Sequence, residues 1–247
     1  MRIIVSIDDT DNIYSRGTGE LAEILAEILE GKGWGKSQPI TRHQLYIHPD
    51  IPYTSHNSAM CFEAEFTPLY LEVFTRLAGE FLEKESASGS DPGLCIVVPD
   101  NLKNVQELID YGYRAKKDII TKEEAYTLAA RLNIHLSEHG GTGDGIIGAM
   151  AGAGLRMTAN DGRFRGQLKL SSHNGVLSVG EIKRQGIIET VRSLEGHMLL
   201  DDDEQIRLGE KIKGVMLNGQ CTLLVFPTSG EGSPHWETCN KRQLKIY

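Results

Sequence analysis

RIIVSIDDTD, residues 2–11, is an apolar run that ends in three carboxylates. Its first six residues predict a buried β-strand, because they are rich in β-branched side chains and an acidic turn bounds them. Ligands collect at the carboxyl ends of strands in open α/β sheets. The turn Asp8-Asp9-Thr10-Asp11 is therefore the first candidate for a functional site.

The three aspartates of this turn, Asp8, Asp9 and Asp11, repel one another, and the repulsion grows as they lose contact with water. A hard cation relieves it, and Mg²⁺ prefers one or two carboxylates together with phosphate oxygens and water. We therefore predict a magnesium–nucleotide site in which all three are metal-binding and catalytic candidates. Asp8 and Asp11 are the better ligands, whereas Asp9 could instead orient a nucleophile. The alternative is a solvated turn, although a turn requires one Asp and not three.

A second candidate element is the glycine-rich turn 139–145, which leads into the helix-like segment IIGAMAGAG. Backbone N–H groups of such a turn can converge on an anion, and the helix N-terminus adds a favourable dipole. Gly141, Thr142 and Gly143 are therefore candidate phosphate-binding residues. The spacing matches neither a P-loop nor a dinucleotide fingerprint, so a tight connection between two helices remains the alternative.

Other polar residues are also predicted to bind the nucleotide. Thr10 lies between the aspartates, and Asn57 lies in the polar loop 53–58, which precedes a predicted strand. Lys117 belongs to the basic run 114–118 and would neutralise phosphate charge if it faces the cleft. The alternative for this basic run is a solvated surface.

Strands alternate with helices up to residue 158, which predicts an α/β or α+β fold with a mixed sheet flanked by helices. Thr18 is predicted to be the N-cap of the first helix, and Thr121 and Glu124 have capping-box spacing before a later one. We expect a nucleotide- and magnesium-binding region at 1–158 and a smaller β-rich subdomain at 159–247, with one short helix near Glu189. The strand-like segments of this subdomain are 167–171, 175–179, 214–217 and 221–226.

The bulk composition limits the class of protein. A net charge of −8 argues against a protein that coats nucleic acid non-specifically. The four scattered cysteines contain no C-x-x-C pair and fit neither a zinc ribbon nor a disulfide framework. No apolar run reaches the roughly 18 residues of a membrane span, and the N-terminus opens directly on the strand. We expect a cytoplasmic protein without a membrane partner.

The sequence also resembles a known family. IDDTD, followed by Gly17 and a helix, is similar to the kinase-like domain of archaeal isoleucine-tRNA 2-agmatinylcytidine synthetase. Three later segments are similar to segments of that domain and occur in the same order, so the resemblance covers roughly residues 1–155. These segments are HNSAMCFEAEF, YRAKKDIITKEEA and GDGIIGAMAGAG.

The resemblance implies an ATP-using phosphotransfer domain. In the family, ATP activates the carbonyl of a cytidine in the tRNA anticodon by phosphorylation, and agmatine then displaces the phosphate. Carried over by position, Asp8, Asp9 and Asp11 would bind magnesium and phosphate, and Gly17 would close the phosphate-facing loop. The family also has a phosphate-accepting threonine at the start of the helix. Glu20 lies near that position here, and Thr18 fits it only if the loop is realigned.

The expected function is therefore Mg/ATP-dependent phosphoryl or nucleotidyl transfer, with a ligase-like overall reaction. The expected substrate is an RNA or a small-molecule amine or carbonyl compound. Because the sequence has no cysteine pairs for the zinc ribbon and too little length for the OB-fold as well, we expect a shorter, divergent relative without either module. One alternative is a non-catalytic RNA-binding module, based on the basic stretch from Arg156 to Arg184. The other is a metal-dependent phosphohydrolase.

Overall fold

The structure, a computed structural model, describes residues 1–51, 57–228 and 234–247. It divides into two compact units, residues 1–158 and residues 159–247. Within the described ranges, no helix combines the length and the apolar composition that crossing a membrane requires.

The first unit alternates strands with helices along most of its length. Its elements are β1 (Arg2–Asp8), α1 (Thr18–Gly31), β2 (Gly35–Ser37), β3 (Thr41–Gln44), β4 (Ser58–Phe66), α2 (Leu71–Glu85), β5 (Gly93–Val97), α3 (Val105–Arg114), α4 (Lys122–Leu132), β6 (His135–Glu138) and α5 (Gly145–Met157). The strand order is β6-β5-β1-β4-β3, and β2 also pairs with β4. All of these pairs are antiparallel.

Helices cover both faces of this sheet. On one face, Ile3, Val5 and Ile7 of β1 pack in a core that includes apolar side chains of α1 and α2. The alternate residue Ile4 packs in a second core with side chains of α3, α4 and α5. Because successive side chains of a strand point to opposite faces, Asp8 shares the α5 face with Ile4.

Helix α5 lies unusually close to its neighbours because glycines form its contacts. A Cβ on Gly152 would lie 2.7 Å from the Cβ of Ala59 in β4, and one on Gly154 would lie 3.1 Å from the carbonyl carbon of Leu108 in α3. Both separations are too short for ordinary packing of side chains. The Gly/Ala-rich sequence of α5 therefore allows the helix to approach the sheet and α3 directly.

Two predictions concern the residues at which helices α4 and α1 begin. The predicted capping box is confirmed: the Thr121 hydroxyl accepts from the N–H of Glu124 at 3.3 Å, and the N–H of Thr121 donates to Glu124 Oε2 at 3.0 Å. The prediction of Thr18 as N-cap is wrong by one position, because Gly17 is the N-cap of α1. The Thr18 hydroxyl does not bond to the helix start but donates to a carboxylate, Asp11 Oδ1, at 3.2 Å.

The second unit is smaller and rich in strands, which confirms the predicted fold class. Its elements are β7 (Arg163–Phe164), β8 (Val176–Ser178), α6 (Val179–Arg184), β9 (Thr190–Ser193), β10 (Gln205–Arg207), β11 (Gly214–Leu217), β12 (Gln220–Pro227) and β13 (Trp236–Thr238). Their order is β7-β11-β12-β13-β10-β8, with β9 beside β12. The sheet is mixed, because β9 pairs with β12 and β10 with β13 in parallel whereas its other described pairs are antiparallel.

Two predictions for the second unit are corrected. The segment 167–171 is not a strand, and Leu168 makes only an isolated bridge to Ile212. The short helix lies at Val179–Arg184 and not near Glu189, since Ser178 and Glu181 form a capping box at its start. Gly186, with a φ of +81°, follows the helix, and the next residues run into β9.

Candidate functional site

Asp8 is the last residue of β1, and the residue is only 8% exposed. Its Oδ1 accepts the backbone N–H of Asp9 at 2.9 Å. The rest of the carboxylate lies against Gly148 of α5, where a Cβ would come 2.7 Å from the Asp8 Cγ and would overlap Oδ2. The glycine helix therefore leaves space for a carboxylate at the end of a buried strand.

Crowding and burial make this end of the sheet strongly unfavourable for negative charge. Burial raises the pKa of Asp8 to about 8, and the neighbouring Asp9 and Asp11 act in the same direction. Burial also raises the pKa of Asp9 to about 6, with added repulsion from Asp91, Asp11 and Asp144. Asp9 and Asp11 thus act on Asp8, and Asp11, Asp91 and Asp144 act on Asp9. Such a cluster favours a bound cation, because each carboxylate ionises more readily beside a positive charge.

The backbone of Asp9 adopts a left-handed conformation, with a φ of +50°. This region is uncommon for residues other than glycine, although Asp and Asn tolerate it better than most. Strained backbone of this kind is concentrated at functional sites. It also ends β1 abruptly, so the residues after Asp8 leave the strand direction.

Asp91 is a site residue that the sequence reasoning missed. It precedes β5, and antiparallel pairing places Gly93 of β5 opposite Asp8 of β1. The Asp91 carboxylate accepts the backbone N–H of Thr142, and its Oδ2 accepts the Thr142 hydroxyl at 2.9 Å. The sequence signal for Asp91 is an Asp-Pro-Gly turn beside a buried strand, and that turn points to the site only when the partner of β5 is known.

The glycine turn adopts the left-handed backbone conformation that its glycines allow. Gly141 and Gly143 have φ values of +56° and +80°. A Cβ on Gly141 would overlap the Asp91 carboxylate, and one on Gly143 would overlap the carboxylate of Glu138. The Lys122 ammonium donates to the carbonyl of Thr142 at 2.6 Å. In this structure the turn is therefore closed by carboxylates and a lysine, and a phosphate could reach the Thr142 N–H only by displacing Asp91.

The remaining residues of the acidic turn face the start of α1. Thr18 donates its hydroxyl to Asp11, and a Cβ on Gly17 would lie 3.7 Å from Asp11 Oδ2, an ordinary contact distance. Thr10 is completely buried, and its hydroxyl has no hydrogen-bond partner within the described structure. A buried hydroxyl without a partner is costly, so this group is suited to accept or donate to a bound ligand.

Asn57 and Lys117 have other surroundings in this structure. The Asn57 amide donates to the carbonyl of Tyr46 at 2.7 Å. Lys117 is exposed in the turn after α3, and its neighbour Arg114 forms an ion pair with Glu124 at 2.8 Å. A cation that the sequence reasoning missed acts on Asp8 instead: Arg42 of β3 lowers the pKa of that carboxyl against the larger effect of burial.

The basic stretch from Arg156 to Arg184 is not a continuous exposed surface. Arg156 is 3% exposed and donates to Thr41 Oγ1 at 2.9 Å within the first unit. Arg163 is 7% exposed and donates to the carbonyl of Leu244 at 3.4 Å. Lys183 forms an ion pair with Asp202 at 2.7 Å. These contacts remove two of the arginines on which the RNA-binding alternative was based.

The acidic residues fit a magnesium–nucleotide complex better than a free metal ion. Across residues 1–51, 57–228 and 234–247, no three His, Cys, Asp or Glu side chains are grouped closely enough to hold a metal by themselves. Mg²⁺, however, usually takes one or two carboxylates and completes its shell with substrate phosphates and water. The raised pKa values of Asp8 and Asp9 and the unpartnered hydroxyl of Thr10 are consistent with this arrangement.

Comparisons with known proteins identify distant relatives. No family model matches the chain. An uncharacterised protein of Methanocaldococcus jannaschii is 30% identical over 155 residues, which make up 62% of this chain and 50% of that protein. The tRNA 2-agmatinylcytidine synthetase TiaS of Methanosarcina acetivorans is 29% identical over 160 residues, which make up 63% of this chain and 36% of the synthetase. The chain thus spans half or less of the length of these relatives.

A solved structure gives the same relationship. The complex of TiaS with tRNA and ATP matches with a TM-score of 0.53 and 26% identity, and the match covers 62% of this chain and 36% of that one. Matches of 155 and 160 residues are longer than the second unit, residues 159–247, so they must include part of the first unit. Over 62% of its length, the chain is a distant relative of the tRNA 2-agmatinylcytidine synthetase TiaS.

Proposed function

We propose that the first unit binds ATP with magnesium at the acidic turn and catalyses phosphoryl or nucleotidyl transfer. The observation that carries the proposal is the cluster of carboxylates around Asp8 and Asp9, whose pKa values are raised to about 8 and about 6. A bound magnesium–ATP complex would supply both a cation for this cluster and an activated phosphate. The relationship to TiaS, which has been solved with tRNA and ATP, supports the same ligand.

Each residue of the acidic turn would have a separate role in binding or catalysis. Asp8 and Asp11 would hold the cation, Asp8 fixed against Gly148 and Asp11 by the Thr18 hydroxyl. Asp9 is half-buried and would receive the proton of the attacking group, since a carboxyl with a raised pKa is better matched to proton transfer near neutral pH. Thr10 would bond to the ligand through its unpartnered hydroxyl.

Gly17 and Thr18 would lie beside the phosphates at the N-terminus of α1, a helix of 14 residues. Helix N-termini favour anions because their first N–H groups lack partners within the helix. Gly141, Thr142 and Gly143 would contribute only if Asp91 turned away from Thr142 to join the cation. Asn57 and Lys117 are also proposed to bind the nucleotide, but their positions in this structure lie outside the acidic cluster.

The proposed substrate is a carbonyl or amine compound, with tRNA as the first macromolecule to test. The relationship to TiaS, a tRNA 2-agmatinylcytidine synthetase, supports this choice, although the matched segment makes up only 36% of that enzyme. Activation by phosphoryl transfer leaves ADP, whereas nucleotidyl transfer leaves AMP-bearing product and pyrophosphate. The two outcomes are therefore distinguished by the fate of the nucleotide.

A thermal-shift assay followed by ³¹P NMR tests the proposal. We expect Mg·ATP to raise the melting temperature, because a ligand that binds only the folded state stabilises it. We expect Asp8→Asn together with Asp11→Asn to remove the shift, and ³¹P spectra with total tRNA and a primary amine to show conversion of ATP. The matched control is Asp201→Asn with Asp203→Asn, two exposed aspartates in another acidic triple. No shift with millimolar Mg·ATP, or an equal shift in the Asp8/Asp11 variant, would refute the proposal.

A further inference from the structure

A groove of about 550 Å³ lies between α2 and β6. Its lining includes Gly79 and Glu83 of α2 and three residues on or just after β6, His135, Ser137 and His139. These three alternate along the strand, so their side chains share one face. That face carries α2, whereas Asp8 faces α5, so the groove is separate from the acidic cluster.

The polar side chains of this groove form one continuous chain of hydrogen bonds. Glu83 Oε1 lies 3.2 Å from His139 Nδ1. His139 Nε2 lies 2.8 Å from the Ser137 hydroxyl, and His135 Nε2 lies 3.0 Å from the same hydroxyl. The order carboxylate, imidazole, hydroxyl is that of an orienting group, a general base and a nucleophile.

The proton positions in this chain follow from donor and acceptor capacity. A carboxylate can only accept, so the His139 proton lies on Nδ1 and points to Glu83. Nε2 of His139 is then an acceptor, and the Ser137 hydroxyl donates a hydrogen bond to it. His135 Nε2 can fill the remaining acceptor position of that hydroxyl by donating to it. Burial and the neighbouring His139 lower the pKa of His135.

The imidazole of His139 is held in a defined position. It is 10% exposed, and a Cβ on Gly79 would lie 2.5 Å from its Cε1, so only glycine leaves room for the ring. Its backbone N–H donates to the carbonyl of Pro92 at 2.8 Å. Ser137 is half-buried and lines the groove, so a small molecule can reach its hydroxyl.

We propose that Ser137, His139 and Glu83 form a second active site that cleaves carboxylic esters through an acyl-serine. The Ser137 oxygen bonds to the ester carbonyl carbon while its proton passes to His139 Nε2. The bond from carbon to the leaving oxygen breaks, and that oxygen takes the proton from Nε2. Water then attacks the acyl-serine, with His139 again taking and returning the proton, and releases the carboxylic acid. Glu83 is a positioning residue that fixes the tautomer of His139.

The charge of the groove selects the class of ester. The described lining includes Glu72, Glu80 and Glu83 together with one arginine, Arg76. This excess of negative charge disfavours phosphate monoesters and favours neutral or cationic acyl compounds. The Arg76 guanidinium lies 3.8 Å from the Glu80 carboxylate, so its charge does not offset that of Glu72 and Glu83.

Labelling of the full chain with a fluorophosphonate probe tests the proposal, because the probe forms a covalent bond to an activated serine with loss of fluoride. We expect one adduct, on Ser137 by peptide mass spectrometry, and no adduct in Ser137→Ala. We expect His139→Gln to slow labelling at least about 100-fold, as loss of a general base does. Thr75→Val, in the same groove, should label at the wild-type rate, since its hydroxyl bonds within α2 to the carbonyl of Leu71.

Two further measurements keep the outcome decisive. The ¹⁵N–¹H spectrum of His139 should show the proton on Nδ1, and Glu83→Gln should shift this tautomer as well as slow labelling, which a merely structural residue would not do. Hydrolysis of p-nitrophenyl acetate should be lost in Ser137→Ala and retained in Thr75→Val. An adduct elsewhere, unchanged hydrolysis in folded Ser137→Ala, cleavage of a phosphate monoester in place of the acetate ester, or a proton on Nε2 would overturn the proposal.

Discussion

The Asp8 carboxylate lies where the Cβ of any residue other than glycine at position 148 would be, with its Cγ 2.7 Å from that point. The last residue of β1 and the second turn of α5 are therefore fitted to each other. The relationship explains why a Gly/Ala helix follows the glycine turn. It also places a buried carboxylate at the point where β1, β5 and α5 meet.

Gly148→Ala tests this fit. In an exposed helix the substitution would be mildly stabilising, but here the new methyl group must displace the carboxylate. We expect a loss of about 1–3 kcal/mol in the free energy of unfolding by urea denaturation, together with loss of the thermal shift caused by Mg·ATP. Gly31→Ala at the end of α1 is the control, since nothing lies within 4 Å of its Cβ position. Equal stability of the two variants would show that Asp8 does not occupy this space.

The pH dependence of stability follows from the raised pKa of Asp8. The folded state keeps this proton up to about pH 8, whereas the ordinary value for Asp is 3.8. The unfolded state therefore releases it first, and stability is greatest below about pH 4 for this group and falls as the pH rises to about 8. The slope is at most about 1.4 kcal/mol per pH unit.

Asp9, with a pKa of about 6, should add to this fall between about pH 4 and pH 6. We expect magnesium-free Asp8→Asn to be more stable than wild type at pH 8 and to show a flatter profile, measured by urea denaturation from pH 4 to pH 8.5. Asp201→Asn, at an exposed position, should leave the wild-type profile unchanged. A wild-type profile that rises over this range would contradict the burial of an ionisable carboxyl at Asp8.

Asp91 should couple the glycine turn to the acidic cluster. Asp91→Ala removes both bonds to Thr142, and we expect a loss of about 1–2 kcal/mol in stability. It also removes a negative charge that raises the pKa of Asp9, so that pKa should fall in a ¹³C NMR titration. Thr142→Val keeps the backbone bond and should cost less. If Asp91→Ala leaves the titration of Asp9 unchanged, the two carboxylates are not neighbours in solution.

Local sequence was sufficient where the determining contacts are local. The β-branched run 2–7 and the acidic turn predicted β1 and the residue at its end, and Thr121 with Glu124 predicted the start of α4. The strand at 167–171 failed because a short polar segment forms a strand only when a neighbouring strand is available, and only Leu168 finds a partner there.

The missing parts of the site depend on contacts that are distant in sequence. Asp91 acts on Asp9 because β5 runs antiparallel to β1, a pairing that no local pattern specifies. The RNA-binding alternative required Arg156 at the surface, but its place on the small-residue helix α5 buries it against Thr41.

Isothermal titration calorimetry with ATP tests the central claim most directly. Wild-type protein should bind ATP in the presence of magnesium and at least about tenfold more weakly when EDTA removes the cation. Asp8→Asn with Asp11→Asn should abolish this magnesium-dependent gain, while Asp201→Asn with Asp203→Asn should retain it. Binding of ATP that is independent of both magnesium and the Asp8/Asp11 pair would contradict the assignment of the acidic turn as the nucleotide site.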